Sequence, residues 1–68
     1  MENKYIPLNA FLKIKGIAST GGQAKRIIRQ GNVKVNGKID LRVTKKLKVG
    51  DKVEVGKHLY EVKEEIIE

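Results

Sequence analysis

The stretch STGGQAKRIIRQGNVKVNG, residues 19–37, decides how this chain is read. It opens on hydroxyls and glycines, runs through a basic segment with paired isoleucines, and breaks at Gly31 into alternating valines before Asn-Gly. Ser19 or Thr20 can accept a hydrogen bond from the orphan amides of a first helical turn, and Gln23 stands at capping-box spacing from Thr20. Ala24, Ile27 and Ile28 then recur on one side, and Gly31 stops the helix on that side. Lys25, Arg26 and Arg29 fall three or four residues apart and share a flank. Their mutual repulsion works against the free domain, so stability is a poor reason for that flank.

Asn36-Gly37 is a strong hairpin signal. A two-residue loop would pair Val35 with Lys38 and Lys34 with Ile39, mixing charged and apolar side chains on each face. A three-residue loop of Val35, Asn36 and Gly37 would pair Lys34 with Lys38 and Val33 with Ile39, separating the faces. The three-residue register is therefore expected, with two lysines side by side on the solvent face.

Upstream, Leu8, Phe11 and Leu12 recur at helical spacing, with Pro7 suited to a first turn and Gly16 to a left-handed stop. A first helix is expected from about Pro7 to Lys15, and Ile17-Ala18 forms an apolar link to the second. Downstream, Leu41, Val43 and Leu47 carry the apolar pattern through a basic segment, and Val49-Gly50-Asp51-Lys52 reads as a turn. Val53 and Val55 form a strand, Gly56-Lys57 a second turn, and residues 59–62 a last strand. The fold class is α+β, with two short N-terminal helices packed on a small antiparallel sheet. Residues 1–68 read as one domain, in which 63–68 form an acidic tail that could fray.

Charge is unevenly spread. From Asn3 to Ile39 there is no Asp or Glu, whereas Lys4, Lys13, Lys15, Lys25, Arg26, Arg29, Lys34 and Lys38 are all basic. The net charge is +7 although the last eight residues carry four acids, so the body is the basic part. A one-sign surface is costly unless a polyanion neutralises it. With 68 residues the chain buries only about 60% of its unfolded surface, so its stability margin is small. There is no cysteine for disulfides or thiolate metal sites, and the single His58 lacks a partner cluster. No cofactor or metal is expected, nor any catalytic residue, because the basic body shows no paired carboxylates or nucleophile–base set. The expected compartment is the cytoplasm, since no apolar run approaches a membrane span or a signal peptide.

The ordered set of motifs resembles the S-four domain, the RNA-binding module of ribosomal small-subunit protein four. The carriers are Leu8, Phe11 and Leu12 in the first helix, Gly16 to Ser19 in the link, and Gln23 to Lys25 before Ile27 and Ile28. The set closes with Gly31 to Gly37, with Val33 and Val35 as its valines. The resemblance spans about residues 6–56, and the Ser-Thr-Gly-Gly run is similar to stand-alone YaaA/YbcJ-type proteins. It implies an S-four-like αL RNA-binding motif without catalysis, and ribosomal RNA or a ribosomal particle as target. Many family members carry arginine and serine where this chain has Gly21 and Gly22. That arginine's phosphate contact does not transfer. The two glycines either let a phosphate backbone approach the free helix-start amides or mark a flexible or tightly packed turn.

The candidate RNA-binding residues are Lys25, Arg26 and Arg29, then Lys34, Asn36 and Lys38 on the hairpin, Gly21 and Gly22 at the helix start, and Arg42, Lys45 and Lys46 as a further rim. Lys13 and Lys15 border them. Asn9, Gln23, Gln30 and Asn32 could reach base edges or serve as caps and turns. Aromatic residues are only Tyr5, Phe11 and Tyr60, too few for base stacking along a single strand, so structured RNA fits better. Transfer RNA is a possible target as well as ribosomal RNA. The competing readings are a DNA-associated accessory protein and an adaptor for an acidic protein, the latter using the basic face or the Ile66-Ile67 tail. No membrane partner is expected, and the chain should be a monomer.

Overall fold

The computed structural model describes residues 4–64, so the part of the acidic tail from residue 65 onward, with Ile66-Ile67, lies outside the described residues. Strand β1 (Ile6–Pro7) leads into helix α1 (Leu8–Ile14), followed by helix α2 (Gly21–Arg29). Strands β2 (Val33–Val35), β3 (Lys38–Ile39), β4 (Lys46–Leu47), β5 (Lys52–Val55) and β6 (His58–Glu61) complete the order. Four of them form one antiparallel sheet in the order β3-β2-β5-β6. β1 and β4 form a separate antiparallel pair, Ile6 opposite Leu47 and Pro7 opposite Lys46.

The α+β architecture is as expected, but the β1–β4 pair was not. Its role is visible at the start of α1. Pro7 is the N-cap and supplies no side-chain cap. The orphan amides of Leu8 and Asn9 instead donate to the carbonyls of Lys45 (2.8 Å) and Val43 (3.0 Å). The segment after β3 is thereby fastened to the first helix.

Both helices end in a Schellman motif, which satisfies their last carbonyls. In α2 the Gly31 amide donates to Ile28 and the Asn32 amide to Ile27, with Gly31 at φ 79°. The α1 end repeats the pattern at Gly16 and Ile17, donating to Lys13 and Leu12. Leu8, Phe11, Leu12, Ile28, Val33, Leu47, Val53 and Val62 are fully buried, drawn from both helices and both sheets. Each large aliphatic or aromatic side chain so buried contributes about 1.5–3 kcal/mol of transfer free energy. Phe11 also meets Tyr60 edge-on at 6.5 Å, joining α1 to β6.

The hairpin corrects the expected register. Lys34 lies opposite Ile39 and Val35 opposite Lys38, leaving Asn36-Gly37 as a two-residue loop. Both loop residues have positive φ, 53° and 88°, as a type I′ turn requires. Turn geometry wins over the sorting of side chains because Ile39, on the edge strand, is 58% exposed and takes no place in the core. Lys34 and Lys38 therefore point to opposite faces rather than standing together. Lys34 shares the outer face with Glu54, its partner on β5, and with Ile39.

Candidate nucleic-acid interface

Helix α2 is set up by its own ends. The Gln23 amide donates to Thr20 Oγ1 at 3.1 Å, and the Ser19 amide returns a bond to Gln23 Oε1 at 2.6 Å. The reciprocal bond thus reaches one residue further back than in an ordinary capping box. Ala24 and Ile28 are buried and Ile27 half-buried, which turns Lys25, Arg26 and Arg29 outward. These three line a shallow depression of about 350 Å³ together with Gly22 and Gln30. Among the described residues no carboxylate lies within ion-pair distance of the trio; the single salt bridge is Arg42–Asp40.

Among the described residues, no neighbour crowds the glycines at the helix start. A Cβ on Gly21 would meet nothing within 4 Å, and one on Gly22 only Thr20 Oγ1 at 3.9 Å. Neither glycine has positive φ. Tight packing is thereby excluded as their reason, and the surface at the start of α2 is open.

The hairpin residues divide. Lys34 lines a pocket of about 200 Å³ with Gly31, Asn32, Glu54 and Gly56, so an acid faces it there. The Asn36 side chain is engaged in the fold. Its Oδ1 accepts from the Lys52 amide (3.0 Å) and its Nδ2 donates to Asp51 Oδ1 (3.2 Å). Lys38 instead joins Arg42 and Lys45 around a groove of about 460 Å³, with Ile39, Asp40 and Leu41 also in the wall. A neighbouring depression is lined by Arg42, Thr44, Lys45 and Lys46. The Lys46 ammonium stands 5.0 Å over the Tyr5 ring.

Asp40 joins the candidate residues only in the structure. It is nearly buried, and its carboxylate takes both Nε (2.9 Å) and Nη2 (2.8 Å) of Arg42. The Arg42 amide donates to the same Oδ1 at 3.0 Å. The guanidinium bonds lower the Asp40 pKa from its ordinary value, outweighing burial, which raises it; the Arg42 amide and the charges of Arg42 and Lys45 lower it further. The Asp-x-Arg spacing was the available signal, since a short acid two residues before an amide commonly folds back on it. Of the polar candidates, Gln23 caps α2 and Gln30 accepts from Asn32 at 3.2 Å. His58 lies exposed on β6, its ring 6.3 Å from that of Tyr60.

Comparison with known proteins agrees with this architecture. A relative from Bacillus subtilis, "Probable ribosome maturation protein RlbA", is 38% identical over 55 residues, 81% of this chain and 78% of its own. A relative from Escherichia coli, "Putative RNA-binding protein YbcJ", is 33% identical over 61 residues, 90% of this chain and 87% of its own. The S4 domain profile matches residues 1–63, and the chain belongs to the S4 domain family.

Proposed function

We propose that this protein is a non-catalytic binder of structured RNA, with ribosomal RNA or a ribosomal particle as its target. The observation that carries the reading is the exposed Lys25–Arg26–Arg29 flank, free of acid among the described residues and continuous with the open surface at Gly22. Phosphates of a folded RNA lie along this flank, with Lys34, Lys38, Arg42, Lys45 and Lys46 as outer contacts. Gly21 and Gly22 let the backbone approach the first helix amides, whose dipole favours anions. Asn36 acts by holding the hairpin in place. A ribosomal target is supported by the name of the Bacillus relative, and RNA by that of the Escherichia relative.

The test is binding as a function of salt. Neutralising about five phosphates gives a log–log slope of roughly −3.5 to −4.5. Replacing Lys25, Arg26 and Arg29 together by alanine should flatten it by up to about three units without lowering the melting temperature. A folded triple variant with the wild-type slope would place the RNA on another face. Duplex DNA of equal length is the control: equal affinity for it would remove the preference for the A-form groove and 2′-hydroxyl. Crosslinking in cells would then show whether the bound sites concentrate in a few ribosomal RNA helices.

A further inference from the structure

An acid in a basic groove is expensive if the groove meets a polyanion, because it repels the ligand and cancels a cation. Among the residues lining the groove of Lys38, Arg42 and Lys45, Asp40 is the single acid. Its side chain is only 10% exposed, whereas that of Arg42 is 69% exposed. The carboxylate is therefore withdrawn from solvent while the guanidinium it binds is displayed.

The bonding pattern says which edge is displayed. A guanidinium has five N–H donors in one plane. Asp40 takes the side-on edge, Nε–H and one N–H of Nη2. The other edge, made by Nη1 and the second Nη2 hydrogen, has no hydrogen-bond partner among the described residues. This free fork matches two oxygens of a phosphate. The third bond, from the Arg42 amide to Asp40 Oδ1, ties the carboxylate to the same residue's backbone. The plane is thus held at the carboxylate, and the side-chain freedom lost on binding has already been lost on folding. Lys45 and Lys38 line the same groove as point charges beside the fork.

We infer that Asp40 is a positioning residue that presents the free edge of Arg42 to a phosphodiester of the bound RNA. The inference rests on the RNA reading above, and it makes an acid favourable for binding a polyanion.

Coulomb attraction alone and positioning give opposite signs, which makes the test decisive. The probe is a labelled A-form RNA duplex of about 16 base pairs, titrated with the whole chain. Asp40→Asn removes the negative charge but keeps an Oδ1 able to accept from the Arg42 amide. Its binding should weaken roughly two- to tenfold, the cost of ordering one long side chain at binding. Arg42→Lys, which keeps the charge and loses the fork, should weaken binding comparably. In an Arg42→Ala background, Asp40→Asn should no longer weaken binding, a readout that a merely structural role would not move. Thermal melts identify the folded variants, and Arg42→Lys carries the test if Asp40→Asn does not fold. Tighter or unchanged binding by folded Asp40→Asn, or full binding by Arg42→Lys, overturns the inference while leaving the RNA reading intact. If wild type shows no saturable, salt-sensitive binding of the duplex, the RNA reading fails and the inference with it.

Discussion

Replacing Gly22 by alanine should stabilise this protein and impair it. Gly22 lies inside α2 at a φ that alanine adopts freely, and its Cβ would touch only Thr20 Oγ1, at an ordinary 3.9 Å. Glycine-to-alanine changes at such sites stabilise by about 0.4–1 kcal/mol, chiefly by restricting the unfolded chain. For a domain of this size that raises the melting temperature by about 2–8 °C. At the surface the effect reverses. The methyl group would stand on the face that Gly22 shares with Lys25, Arg26 and Arg29, where a phosphate must come close to reach the helix amides. Losing a hydrogen bond to a charged partner costs about 1.5–3 kcal/mol, or roughly ten- to a hundredfold in affinity. Circular dichroism melts give the first quantity and fluorescence anisotropy with labelled duplex RNA the second. A higher melting temperature with unchanged affinity would show that RNA does not approach the helix start. A lower melting temperature would refute the conformational argument itself.

Two further outcomes concern stability. Asn36→Ala deletes the bonds to Lys52 and Asp51 and puts at φ 53° a residue that tolerates the left-handed region less well than asparagine, so urea titration should show a loss of about 1–3 kcal/mol. Asp40 supplies the acid-sensitive term. Its folded pKa lies below the unfolded value, so its contribution is present above the unfolded pKa, about 3.9, and is lost as pH falls through the folded one. The stability difference between wild type and Asp40→Asn should therefore shrink as pH drops below about 4. A gap that stayed constant down to pH of about 2 would remove the ion pair from the account.

Much of the molecule was legible where local chemistry decides it. Thr20, Gln23 and Gly31 announced α2 because caps and stops are made by neighbours in the chain. Leu8, Phe11 and Leu12 announced the buried face of α1 for the same reason. The hairpin register failed because sorting side chains by polarity assumes that each apolar residue needs the core. Ile39, on a two-residue edge strand, does not. The pairing of Ile6 with Leu47 could not be seen, since two-residue strands have no periodicity and their partner lies far along the chain. The candidate site divides in the same way. Lys25, Arg26 and Arg29 follow from helix geometry alone, whereas grouping Lys38 with Arg42 and Lys45, apart from Lys34, depends on the register.

The pairing of β1 with β4 also bears on the order in which the molecule assembles. Its partners are about forty positions apart, so closing that ring costs about 3 kcal/mol of chain entropy beyond a constant term. The return is a pair of two-residue strands and two amide bonds into the start of α1. The two helices and the β2–β3 hairpin are joined by short links and reach their partners sooner. The basic segment that carries Arg42, Lys45 and Lys46 is fastened to the start of α1 only when the chain ahead of α1 returns to it. Three of the interface cations therefore owe their place beside α1 to a long-range encounter, and a helix–hairpin fragment cut from residues 19–39 would lack them.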